Sequence, residues 1–201
     1  MIVGARKWAD RNTYYTQENN IAELWLKLFS VPHPLQTCGA SAAANCAAAV
    51  GYDLTTRTPG GWVVSGDDAL ILWFSAPVNA ETIKHMVGID PSEIPASRYA
   101  ALYPMAAVKV FGACCSRITA VSKDIICGWL RKSYAVQACI SPPGHYLAIV
   151  AYDEATGELI YNDSWSTRKA QWGGDGFNRR LTSVEETTLV PEAVVWAPPK
   201  E

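Results

Sequence analysis

At 201 residues, with 17 Lys and Arg against 19 Asp and Glu, the chain carries a formal charge of −2, scattered along its length. No basic stripe offers itself to phosphates or anionic lipid, which sets nucleic acid aside as a partner. The longest apolar runs, residues 69–76 and 146–152, fall far short of the roughly 20 residues that span a bilayer, which sets membrane insertion aside.

A chain of this length buries about 70% of its unfolded surface, enough for a single domain over residues 1–201 with a sizeable cleft. The first ten residues include Arg6, Lys7 and Asp10, and no apolar stretch follows them, so no signal peptide is expected. The expected location is the cytoplasm at synthesis, with release to a cell wall only by another route. The six cysteines, at 38, 46, 114, 115, 127 and 139, are expected to be reduced thiols. They form no CxxC pair and have no histidine at zinc-finger spacing, so neither a metal nor a cofactor is expected.

Ile21, Leu24, Trp25, Leu28 and Phe29 recur at the helical period and predict an amphipathic helix over 17–30. His33, Pro34 and Leu35 break it, because proline disfavours helical geometry in the residue before it. From Cys38 to Val50 the chain is almost entirely Ala, Ser and Cys, with Thr37 as N-cap and Gly51 placed for a left-handed C-cap. These residues predict a central helix that neighbours approach closely on nearly all sides, leaving its N-terminus free to face a ligand. In the proline- and glycine-rich middle, 68–74 and 80–87 read as helices and 106–111 as a strand. Gly60 and Gly61 beside Trp62, like Gly173, Gly174 and Gly176 beside Trp172, read as turns near core tryptophans.

Ser122 caps a helix with apolar positions Ile125, Ile126, Trp129 and Leu130 that ends near Ser133. After it, 134–140, 146–152 and 159–161 are short Val-, Ile- and Tyr-rich runs, the last two joined through a turn containing Gly157. A helical part, about 1–133, followed by a sheet part, about 134–201, makes an α+β fold in which helices cover an antiparallel sheet.

Chemistry concentrates where the two parts meet. A helix N-terminus supplies partial positive charge and unpaired N–H groups that lower a thiol's pKa, which singles out Cys38 among the cysteines. The following Gly39 lets backbone approach, and its N–H is a candidate oxyanion donor. His145 opens a strand after a proline-rich turn, where the imidazole is expected to reach solvent and act as general base. The turn at 153–158 brings the chain past Tyr161 back beside His145, so that Asn162 or Asp163 orients the imidazole.

The order Cys, His, Asp, with TCGASAAA opening a helix, GHYLAIVAYD opening a strand and LIYNDSW closing the next, resembles the papain-like cysteine peptidases. Within them it is most similar to the bacteriocin-processing peptidase group. The motifs are confined to 36–51 and 136–165. The resemblance implies a papain-like fold and favours Asp163 over Asn162, because Asp163, Ser164 and Trp165 stand where papain-type enzymes carry Asn-Ser-Trp. It also implies that Trp165 lines the substrate cleft and shields the His–Asp bond from water. The oxyanion glutamine of the family falls at Pro32 in this chain, and Gln36 is the nearest glutamine to take the role.

The expected activity is amide hydrolysis through an acyl-enzyme, on a peptide or on the peptide of peptidoglycan in the manner of a phage lysin endopeptidase. An intracellular processing peptidase, a catalytically inactive binding module and an amine-accepting, transglutaminase-like enzyme are the other readings.

Overall fold

The computed structural model describes residues 1–16, 37–58, 60–90, 93, 96–142, 144–165 and 175–200. The helix expected over 17–30, together with Gln36 and Trp172 to Gly174, lies outside them. The fold is α+β, with helices packed on an antiparallel sheet. In chain order come β1 (Ile2–Gly4), α1 (Cys38–Val50), β2 (Thr55–Arg57), β3 (Val63–Ser65), α2 (Gly66–Ser75), α3 (Ala80–Val87) and α4 (Ala96–Phe111). There follow β4 (Cys114–Thr119), α5 (Lys123–Leu130), β5 (Ala135–Ile140), β6 (His145–Asp153), β7 (Glu158–Asn162), β8 (Arg179–Arg180), the short α6 (Ser183–Glu186) and β9 (Leu189–Ala197).

The main sheet runs in the order β4-β9-β5-β6-β7-β8, and β2 and β3 form a separate hairpin. Along β6, β5 takes one edge from His145 to Ile149, and β1 pairs with Ala151–Asp153. Since β7 already occupies the other edge there, β1 continues the line of β5. Residue 147 to residue 151 is buried on both faces of the sheet, which is why β6 reads as an unbroken apolar run instead of an alternating one.

Two cores result. On one face, Ala43, Ala47 and Val50 of α1 pack with Ala135, Ala148, Val150 and Trp196 of the sheet and with Ile71 and Tyr103 of α2 and α4. On the other, Ile126 and Leu130 of α5 meet Val136, Leu147, Ile149 and Leu159. Each fully buried Leu or Ile of these clusters contributes roughly 1.5–3 kcal/mol over an exposed one. α1 is buried from Gly39 to Val50 and ends at Gly51, whose φ of 114° is the left-handed cap the sequence predicts. Its small side chains allow sheet, α2 and α4 to close on it together.

The strand expected over 106–111 is instead the end of α4. Tyr103, Ala106 and Ala107 are buried while Val108 and Lys109 face out, a helical period, and Pro104 is accommodated inside the helix. The strand begins after Gly112, at Cys114. β1 and β4, both before residue 134, also join the sheet. Trp62 is not a core tryptophan: it stands 68% exposed on the β2–β3 hairpin.

The first turn of α1 is tied to the start of α2 by Ser41, whose hydroxyl donates to Asp67 Oδ2 at 2.5 Å. Burial pushes Asp67 up from 3.8 to about 7, the charge of Asp68 adding to it against the pull of the Ser41 bond. The folded state therefore keeps this proton where an unfolded chain has released it. Its contribution to stability is full below about 3.8 and is lost as pH rises through about 7. The stability difference between wild type and Asp67→Asn is expected to change by up to about 1.4 kcal/mol per pH unit between pH 5 and 7, with wild type the steeper, as measured by urea unfolding at each pH.

Candidate active site

Cys38 is the first residue of α1, and Thr37 at its N-cap makes no side-chain capping bond to the helix. The thiol thus meets the positive end of the helix dipole. Burial alone would push the Cys38 thiol up. A hydrogen bond from His145 and its charge, with the backbone N–H groups of Tyr146 and Gly39, outweigh burial and hold the thiol below its ordinary value. The Gly39 N–H, expected to bind an oxyanion, lies against the sulfur itself. Burial instead raises Cys46 and Cys127, and takes Cys115 and Cys139 to about 11.

His145 is the first residue of β6, opposite Ile140 on β5. On the other edge Asn162 opposes Ala148, so the chain leaving β7 travels back toward the imidazole. The next residue, Asp163, places Oδ1 2.6 Å from His145 Nε2. With Nε2 engaged, Nδ1 is the nitrogen left for the thiol. Burial would lower His145, but the hydrogen bonds and charges of Asp163 and Cys38 push it up to about 9. A thiol held down beside an imidazole held up favours the thiolate–imidazolium form of the pair.

His145 does not reach solvent as expected. It is 3% exposed and Asp163 2%, because α1, the β7 exit and Trp165 enclose the pair. Cys38, half-buried, is the most accessible of the three. Trp165 lies with its ring 5.7 Å from the imidazole, and its backbone N–H donates to Asp163 Oδ1 at 2.9 Å. It therefore touches the triad through backbone and ring alike. Asn162 turns away to accept the Asn178 N–H.

Asp163 is held on every side. Its N–H donates to the Gly176 carbonyl at 2.9 Å, and its carbonyl accepts the Tyr14 hydroxyl at 2.8 Å. The Thr16 hydroxyl bonds the Ser164 carbonyl beside it. Tyr14 and Thr16 are fixed in turn by Asn45 of α1, which accepts the Tyr15 N–H at 2.9 Å and donates to the Tyr15 carbonyl at 2.8 Å. The helix that carries the thiol thereby also fixes the strap that grips the backbone of Asp163 and Ser164.

Sequence reasoning missed these supports. Asn45 is a polar amide within an alanine-rich run, and Gln137 is one within the apolar strand β5. A polar residue in such a place needs a partner, because leaving it unpaired when buried costs about 1–3 kcal/mol. Gln137 Nε2 donates to the Gly39 carbonyl at 3.2 Å, and its Oε1 has no hydrogen-bond partner among the described residues. Gln137 thus steadies the Gly39–Ala40 peptide, one residue on from Cys38.

Among the described residues no group of three or more His, Cys, Asp or Glu is arranged to hold a metal ion, and no helix is long and apolar enough to cross a membrane. No protein-family model matches the chain, and no curated protein matches it.

Proposed function

We propose that the chain is a papain-like cysteine hydrolase that cleaves an amide bond through an acyl-enzyme. The observation that carries this reading is the line from the Cys38 thiol through His145 to Asp163 at the start of a buried helix. An amide suits it, since breaking that bond needs both a strong nucleophile and an acid for the departing nitrogen. The Cys38 thiolate attacks the carbonyl carbon. The oxyanion collapses as His145 gives its proton to the leaving amine, and water, deprotonated by His145, releases the acid. Asp163 keeps the imidazole oriented and stabilises its cation throughout. The substrate proposed is a peptide, with the peptide of peptidoglycan first.

The test is iodoacetamide labelling of the native protein across pH with peptide mapping, followed by turnover on peptide and peptidoglycan substrates. Selective labelling of Cys38 below about pH 7 with release of new amino termini supports hydrolysis. Selective labelling with amine incorporation in place of hydrolysis points to acyl transfer, and a thiol that labels like an ordinary one of pKa about 8.5 ends the catalytic reading.

The alkaline side has its own expectation. His145 carries its proton up to about 9 because Asp163 supports it. Asp163→Ala removes the larger support, so the alkaline fall in turnover is expected to move down by 1–2 pH units, about the effect of losing one close carboxylate. A pH–rate profile of the two proteins checks it, and an unmoved alkaline limb would show that Asp163 does not set the imidazole.

A further inference from the structure

A second cleft, of about 630 Å³, is lined by the β2–β3 hairpin with its turn, by α2 and the segment through Asn79 that follows it, and by the end of α4. None of its lining residues belongs to the triad or bonds to it. The volume is that of a small-molecule pocket. Its walls are apolar, with Val64, Leu72, Trp73 and Val110 among them, and Trp62 stands at the rim. Trp62 and Val78 are 68% and 80% exposed. An indole left in water forfeits the burial that makes tryptophan worth placing, and one that is exposed against an apolar hollow has a surface to close on when the hollow is filled.

The charges bear on what fills it. Arg57 and Lys109 line the cleft, and among the described residues no Asp or Glu does. The Arg57 guanidinium has one long hydrogen bond, 3.3 Å to the Gly61 carbonyl, and neither cation pairs with a carboxylate among the described residues. Two uncompensated cations beside an apolar hollow complement a molecule with an apolar body and an anionic head. The guanidinium fork suits a carboxylate or other oxyanion in two-point contact, and the lysine adds a point charge.

We propose that this cleft is a binding site for a small amphipathic anion, an aromatic or aliphatic carboxylate or sulfonate, with its apolar body between Trp62 and Trp73 and its head on Arg57 and Lys109. The site is independent of the hydrolase reading and stands or falls separately from it.

The full chain is titrated with decanoate, with 8-anilinonaphthalene-1-sulfonate and, as the uncharged comparator, with decanol, while amide NMR shifts map where each binds. Decanoate is expected to bind at least tenfold more tightly than decanol and to displace the sulfonate, with shifts centred on β2, β3 and α2. The surface double variant R57A/K109A is expected to weaken decanoate at least tenfold and leave decanol unchanged. Ala76→Trp, which fills the cleft, is expected to abolish both, with circular dichroism and Cys38 labelling as wild type to show an intact fold. Decanoate binding no tighter than decanol, shifts centred elsewhere, or decanoate affinity unchanged in R57A/K109A would each overturn the proposal, and the last does so even if Ala76→Trp fails to fold.

Discussion

Replacing His145 with alanine is expected to slow iodoacetamide labelling of Cys38 at pH 6 by about tenfold and to cut turnover by 10³-fold or more. The two numbers differ for a physical reason. An ordinary thiol of pKa about 8.5 is only about 0.3% thiolate at pH 6, whereas one held down by an adjacent imidazolium is ionised to a much larger fraction. Each low-pKa thiolate is less nucleophilic, however, and returns much of that gain, which leaves about tenfold for simple alkylation. Turnover also needs the proton that His145 carries to the leaving amine, a contribution of 10²–10⁴ that alkylation never uses. Labelling and peptide hydrolysis are therefore measured on the same samples, with Cys38→Ser as the zero. Equal losses in the two assays would mean that His145 only tunes the thiol. No loss in either would mean that the imidazole does not act on it at all.

Gly176→Ala is expected to damage the site from behind. The added methyl would lie 2.0 Å from the Asp163 carbonyl oxygen and 2.5 Å from the Tyr14 hydroxyl, distances no carbon sustains. The Asp163 N–H is bonded to the Gly176 carbonyl and its carbonyl to the Tyr14 hydroxyl, so relief requires the strand exit to move by about an ångström. Overpacking of this kind costs roughly 1–3 kcal/mol, a fall in Tm of about 2–12 °C for a chain of this size. A displacement of that size near the reacting groups costs about 10²-fold in turnover. Melting curves and the pH dependence of Cys38 labelling check both halves. A variant that melts and labels as wild type would show that Asp163 is not gripped as described.

The parts legible in the sequence were those written locally. The alanine-rich run with Thr37 before it and Gly51 after it located α1 and the thiol at its start, and the turn at 153–158 returned Asp163 to His145. The misses share a cause, which is that the deciding contact is distant along the chain. β1 is three residues long and becomes a strand only because β6 has a free edge beyond Ile149. The end of α4 carries β-branched residues that suit a strand, but tertiary packing of Tyr103, Ala106 and Ala107 overrides that preference. His145 opens a strand, which suggests exposure, and is buried because Asp163 and Trp165 close over it. Gly176 looks like any loop glycine until the Asp163 carbonyl is seen against it.

The Tyr14–Asp163 bond joins residues 149 positions apart, and β9, made of residues 189–197, lies inside the sheet between β4 and β5. A growing chain emerging from the ribosome therefore holds Cys38 and its helix long before it holds the groups that make the thiol reactive. Closing so long a loop is slow, and a sheet that waits for an interior strand cannot complete early. On the proposed reading of the site, a chain that stops short of Asp163 holds the thiol without its partners, and its Cys38 is expected to label as an ordinary thiol does.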